Sequence, residues 1–218
     1  GSSNFHPDHR WGTFWSASAA WEMSKEPFLR TQRRWINLLK LRASFGQQGN
    51  SNLGLDYAPY YLDWYSVTGA NGTFSDGVLV QKGNIDITWE THNNINVGLD
   101  FTLWHGLLSG SVEYFSRKTV DMLYYKHVAP SNGYSSIPVN MGSLRNSGLE
   151  IDLNSTFYRS QNNDVVLKAY ANATMSKRVI LELAEDNGEY KSNTTFWKEG
   201  ETPDRLNLVR YAGVDKTT

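Results

Sequence analysis

A chain of 218 residues with a formal charge of -1 and no block of five like charges carries neither the basic footprint of a nucleic-acid binder nor a polybasic lipid anchor. Cysteine is absent, which excludes disulfides, thiolate metal sites and a cysteine nucleophile. Mean hydropathy is -0.51 and no apolar run approaches the ~20 residues of a membrane helix, but a membrane β-barrel passes such a test because only alternate residues meet lipid.

The 8 Trp, 12 Tyr and 18 Gly suit strands and turns better than helices. Trp11 to Met23 and Leu39 to Phe45 are predicted as strands; between them Pro27 and several charges interrupt the alternation over Ser24 to Asn37, where a short helix fits. The connection at about 47 to 84 is long and concentrates Tyr57, Tyr60, Tyr61, Trp64 and Tyr65 within nine residues. Aromatic rings in such a loop stack on sugars or apolar side chains at modest entropic cost, so these five are the candidate contacts for a substrate or a lid, with simple loop packing as the alternative.

Ile85 to Leu103 decides the architecture. Of its ten odd positions eight are apolar, while the even positions from Asp86 to Thr102 hold no large hydrophobe. Ile87, Trp89, Ile95, Val97, Leu99 and Phe101 are therefore expected to point outward, and Asp86, Glu90, Asn94, Asn96 and Asp100 into a wet interior. A two-residue period sustained for 19 residues exceeds ordinary globular strands of about 5 or 6 residues and suits a strand that spans a membrane.

Trp104-His105-Gly106 makes a tight reversal into Leu108 to Phe115. A further hairpin joins Leu149 to Phe157, through a short turn at 159 to 164, to Val165 to Met175; Leu206 to Ala212 is a weak seventh strand. Short turns at 104 to 106 and 159 to 164, against long connections at 47 to 84, 124 to 140 and 184 to 204, place the long loops outside the cell. The fold class is all-β: an antiparallel transmembrane β-barrel segment of about six or seven long strands with long extracellular loops. So few strands cannot close a wide barrel. A soluble carbohydrate-binding β-sandwich is the competing architecture.

Several short segments, in order, resemble the barrel of the SusC/RagA-type TonB-dependent outer-membrane transporters: Arg10-Trp11-Gly12-Thr13-Phe14, Leu39 to Gly46, Thr88-Trp89-Glu90-Thr91 with Asn96 to Phe101, Gly110 to Phe115, Asn146 to Glu150 and Tyr211 to Asp215. Trp15, where a proline is common, and Met175-Ser176-Lys177-Arg178 depart from that pattern. The resemblance covers nearly the whole chain. It implies that residues 1–218 are part of the barrel only, with no plug domain and without the closing strands, in the outer membrane of a Gram-negative bacterium. It further implies active import of a bulky nutrient, a glycan or a peptide, with a SusD-like surface lipoprotein as lid, TonB acting through the plug, and outer-membrane lipid around the wall.

No catalytic residue, metal ligand set or cofactor site is assigned. His6-Pro7-Asp8-His9 offers imidazoles and a carboxylate without rigid geometry, and Glu150 with Asp152 falls on a strand face that also carries Asn154 and Thr156, as a hydrated wall would.

Overall fold

The computed structural model describes residues 1–54, 59–67, 77–134, 136–160, 165–183, 188–191, 195–206 and 208. Its main feature is a single antiparallel sheet of six strands in the order β1-β2-β5-β6-β9-β10. These are β1 (Ser16–Glu22), β2 (Ile36–Asn50), β5 (Glu90–Leu103), β6 (Leu108–Val120), β9 (Ser143–Arg159) and β10 (Val166–Glu182). Three short hairpins lie between or after them: β3 (Trp64–Val67) with β4 (Gly77–Gln81), β7 (Leu123–His127) with β8 (Ser136–Asn140), and β11 (Glu189–Lys191) with β12 (Phe196–Lys198). The six principal strands are those expected. The hairpins fall within segments expected only to be long loops. Of the weak seventh strand, one bridge between Thr195 and Leu206 is seen, and its remainder lies outside the described residues except Leu208.

Register keeps the two faces of the sheet separate across all six strands. Leu41 pairs with Leu99, Leu99 with Val112, Val112 with Ile151, and Ile151 with Ala173, so one apolar row crosses the wall. The adjacent row on the opposite face runs Arg42, Gly98, Glu113, Glu150 and Thr174. A slip of one residue in any pair would move charges onto the apolar side.

The apolar face is uncovered: Ile95 is 44% exposed, Tyr114 49% and Met175 61%, and among the described residues no second layer packs on it. A sandwich would bury this face in a core. From Ile95 to Leu103 the apolar positions of β5 extend roughly 26 Å at ~3.3 Å per residue, close to the ~25 Å apolar band of outer-membrane barrels. Above that band the same face turns polar, with Gln47, Asn93, Lys118 and Arg145 in one row. Gln47 Nε2 donates to Asn93 Oδ1 at 2.9 Å.

At the short-turn end, Pro27–Arg34 forms 3-10 turns, and Trp104, His105 and Gly106 reverse the chain with φ of 48°, 57° and 89°. Two non-glycine residues in left-handed backbone are strained. Their support is visible: the Trp104 N–H donates to Trp35 O at 2.7 Å, the Trp35 and Trp104 rings stack with centroids 6.3 Å apart, and the His105 N–H donates to Asn37 Oδ1.

One expectation is overturned. β5 begins at Glu90, and Ile87 does not face outward; it is fully buried with Phe5 and Tyr60, with Trp89 and Leu53 packed against them. The alternation of residues 85 to 89 continues in the sequence, but the strands beside β5 end at Asn50 and Val120, so there is no ladder there for it to join. Asp86 likewise lies before the strand. The apolar side chains instead close a small core with residues 1 to 14 and the loop around Tyr60. This is the buried apolar cluster of the described chain, and it sits above the wall rather than on it.

Two outcomes are expected. Leu99→Arg, in the middle of the apolar band, should cost roughly 2 to 4 kcal/mol in unfolding from lipid vesicles, whereas Ser109→Arg, within the same band on the polar face and between the uncharged Thr102 and Asn154, should stay within about 0.5 kcal/mol; equal costs would contradict the assignment of faces. The 218-residue chain expressed by itself should require detergent, because its apolar face and the free edges of β1 and β10 lack cover. A soluble monomer with cooperative unfolding would show instead that the face is a hidden core.

Candidate functional site

The polar face borders a hollow of about 770 Å³ that reaches from β1 to β9, with Ser18, Ser44, His92, Asn94, Arg117 and Asn146 among the lining residues.

Below the hollow stands a charged cluster. Arg42 Nε donates to Asp100 Oδ1 at 3.1 Å and its Nη2 to Glu113 Oε2 at 2.6 Å, so one guanidinium ties β2, β5 and β6 together. It can do so because residue 98, which lies between them, is glycine: a Cβ there would come within 2.9 Å of the Arg42 guanidinium. Glu150 stands directly opposite Glu113, and Asp152 opposite Ser111. The Glu150 and Asp152 pair is thus part of the polar wall, as expected.

Higher on the same face, Phe115 is 4% exposed, with its ring over Gly148, where an added Cβ would meet it at 2.8 Å. Arg117 Cζ lies 5.2 Å from the centroid of that ring. His92 contacts Thr119 Oγ1 through Nδ1 at 2.9 Å and Glu90 Oε1 through Nε2 at 3.1 Å. Glu90 is nearly buried because it also accepts from Asn50 Nδ2 and from the Leu123 N–H. That carboxylate fastens β2, β5 and the start of β7 at the rim.

Above the rim the loops brace one another. Asn140 receives the Thr88 N–H on Oδ1 at 2.7 Å and donates through Nδ2 to Thr88 O and Asp121 O. The Tyr125 hydroxyl donates to Gln81 Oε1, linking β7 to β4, and burial pushes its pKa up to about 12, so it keeps its proton at any physiological pH. Asp63 joins Lys82 at 2.7 Å and accepts the Gly83 N–H; first the Lys82 hydrogen bond and then that backbone donor hold its carboxyl below the ordinary carboxylate range.

The five aromatic candidates separate in this setting. Tyr57 lies outside the described residues. Tyr60 is 2% exposed: its ring packs near Phe5, its hydroxyl accepts from the Leu53 N–H at 3.2 Å, and its backbone bonds to Asn4 and Asn84. Tyr61 is half-buried, edge-on to His6 at 5.5 Å, which gives that imidazole a packing partner. Trp64 is half-buried and its indole N–H donates to Pro59 O. Tyr65 is 53% exposed on β3 and presents a ring to solvent. The sequence brought all five into one loop, and the fold distributes them between a core and a surface.

Arg42, Asn140, Arg117 and the rim role of Glu90 were not legible beforehand. Each depends on which residues of distant strands stand opposite one another, and strand alternation fixes the face a residue occupies but not the partner it meets on that face.

Known proteins share this build. Residues 1–212 match the family model described as TonB dependent receptor-like, beta-barrel. TonB-dependent receptor P39 of Formosa agariphila is 32% identical over 215 residues, which is 98% of this chain and 20% of the relative. TonB-dependent receptor SusC of Bacteroides thetaiotaomicron is 33% identical over 162 residues, 71% of this chain and 16% of the relative. Among solved structures, the RagAB peptide transporter superimposes with a TM-score of 0.86 at 27% identity, covering 99% of this chain and 23% of that one. The chain thus spans about a fifth of the length of the relatives it matches. On a family match over residues 1–212 and a wall of the same build, this chain belongs to the TonB-dependent receptor-like β-barrel family.

Proposed function

We propose that this chain forms part of the wall and mouth of a longer outer-membrane transporter that imports a bulky nutrient, a peptide or a glycan, into a Gram-negative bacterium. The observation that carries this reading is the continuous six-stranded wall, apolar on its uncovered face and polar on the other, which borders the hollow, with three hairpin loops gathered at one end. The free edges of β1 and β10 do not pair with each other, which fits strands from elsewhere in a longer chain completing the cylinder. The plug and the TonB contact belong to that longer chain. The relatives are named as receptors and transporters rather than as enzymes, and import rather than catalysis is the activity proposed.

The loop end would face outward and meet a SusD-like surface lipoprotein acting as lid. RagAB, which shares this wall, is a peptide transporter, and that likeness supports peptide cargo; the glycan alternative stays within the same class of activity. Among the five candidates Tyr65 is the one proposed to touch a lid or cargo, since its ring is exposed. Tyr61 packs on His6 and Trp64 is tied to Pro59, while Tyr60 holds the loop in place.

Uptake of labelled oligopeptides and oligosaccharides by cells carrying the full-length protein tests the reading: accumulation of one class should disappear on deleting either the gene or TonB. Persistence of uptake in both deletions would overturn it. In the same assay Tyr65→Ala should weaken lid binding or uptake while the amount of assembled barrel stays constant. Tyr60→Ala should instead cost about 3 to 5 kcal/mol of local stability at the mouth, read by proteolysis of the loop. A Tyr65→Ala protein with normal lid binding and uptake would reduce that ring to packing.

A further inference from the structure

Two rows at the upper edge of the outward, lipid-side face of the wall carry three cations. In the higher row Lys118 stands directly opposite Arg145; in the lower row Ser116 stands opposite Ser147, and Ser147 opposite Lys177. Because Val179 is the partner of Arg145, Lys177 is its diagonal neighbour, so the three side chains stand within roughly 5 to 8 Å of one another at Cβ. Like charges directly opposite destabilise a sheet. The same face supplies no relief: at its alternate positions over residues 91 to 103 of β5, 108 to 120 of β6, 145 to 155 of β9 and 169 to 179 of β10 there is no Asp or Glu. Among the described residues no ion pair or side-chain hydrogen bond reaches Lys118, Arg145 or Lys177. On the lumenal face Arg42, by contrast, holds two acids. A plug inside the barrel cannot supply the missing anion, since these three side chains belong to the opposite face.

Their height is that of a membrane boundary. Phe45 lies in the lower row, and Trp15, 56% exposed, packs on it with ring centroids 4.9 Å apart; tryptophan collects at such boundaries. One row farther down, ~7 Å at ~3.3 Å per residue, Tyr114, Leu149 and Met175 begin the apolar band. Going up the wall, a neighbour meets apolar side chains, then two hydroxyls, then three cations. That order matches an acylated molecule with phosphate at its headgroup: the Arg145 fork can donate two parallel hydrogen bonds to a phosphate, the lysines add point charges, and the serines add O–H donors. The hairpin loops mark the outward end, so the leaflet is the outer one, where the acylated, phosphate-bearing molecule of a Gram-negative bacterium is the lipid A glycolipid. A second copy of this chain fits less well, because a twofold contact of this face with itself would set cations against cations.

Resting on the outer-membrane reading above for its leaflet, we propose that Lys118, Arg145 and Lys177, with the Ser116 and Ser147 hydroxyls, form a site on the outside of the wall for the phosphate of an outer-leaflet lipid A, whose acyl chains lie against Tyr114, Leu149 and Met175. The bound phosphate offsets the repulsion between Lys118 and Arg145 and holds one lipid at a fixed place beside the barrel.

The test uses the full-length protein in detergent, with native mass spectrometry following the binding of phosphorylated lipid A, the same lipid A stripped of phosphate, and phosphatidylglycerol. The wild type should bind phosphorylated lipid A at least about tenfold more tightly than the stripped form. Combining Lys118→Gln, Arg145→Gln and Lys177→Gln should erase that difference and leave binding of the stripped form unchanged, a result that misfolding cannot give because it would weaken both lipids alike. Lys118→Arg with Lys177→Arg should keep the preference. A wild type without the preference, a triple variant that retains it, or a uniform loss of both lipids overturns the proposal. Equal affinity of the wild type for phosphatidylglycerol also overturns it, by making the patch a general anionic-lipid surface. So does a triple variant that binds lipid A normally but loses a lid protein or a second copy, since the cations would then serve a protein partner. Nutrient uptake is measured apart from lipid binding: uptake that stays TonB-dependent leaves the import reading standing whatever the lipids show, whereas loss of that dependence removes the import reading alone.

Discussion

Every other feature of this protein depends on an unbroken antiparallel ladder. Within hydrocarbon an unpaired backbone N–H or C=O costs several kcal/mol, so a strand can cross only if both its neighbours keep pace with it. From β2 to β9 they do, with partners for nearly every residue across the apolar band and irregularities confined to positions near the strand ends. Because the ladder fixes register, it also fixes which side chains share a face. An oily exterior and a wet interior follow without any further device.

The ladder explains where the wall stops being a wall. Once β2 and β6 end, the apolar residues that follow or precede them have no sheet to join and no lipid to meet. Ile87 and Trp89 therefore close on Phe5 and Tyr60, while Glu90 and Asn140 absorb the backbone donors released at the rim. The mouth thus owes its order to a small core and a set of side-chain to backbone hydrogen bonds. Loops held in this way can present an exposed ring such as Tyr65 at low entropic cost, since Tyr60 and Trp64 of the same loop are already fixed.

The interior face shows how a wall can be polar without being uniform. Arg42 gathers two acids over a glycine, and Phe115 covers another glycine and supports Arg117; in both cases the missing Cβ makes room for a large side chain lying flat. Charges then remain at two heights instead of cancelling strand by strand. In a hollow partly shielded from bulk water such charges act more strongly than on an open surface.

Sequence alone determined the six principal strands, the short reversal at Trp104 and the identity of the two faces, because a two-residue period and turn chemistry are local properties of a chain. The resemblance carried by segments such as Asn96 to Phe101 added the family. Neither could locate the end of β5, since the alternation through Ile85 to Trp89 is as regular as that beyond it; the limit is set by where the partner strands β2 and β6 stop. Nor could the sequence tell Tyr60 from Tyr65, equal in composition and loop, or show that Arg42 meets Asp100 and Glu113 while Arg117 meets no acid among the described residues. Those outcomes depend on which side chains stand opposite one another, and only the folded sheet sets that register.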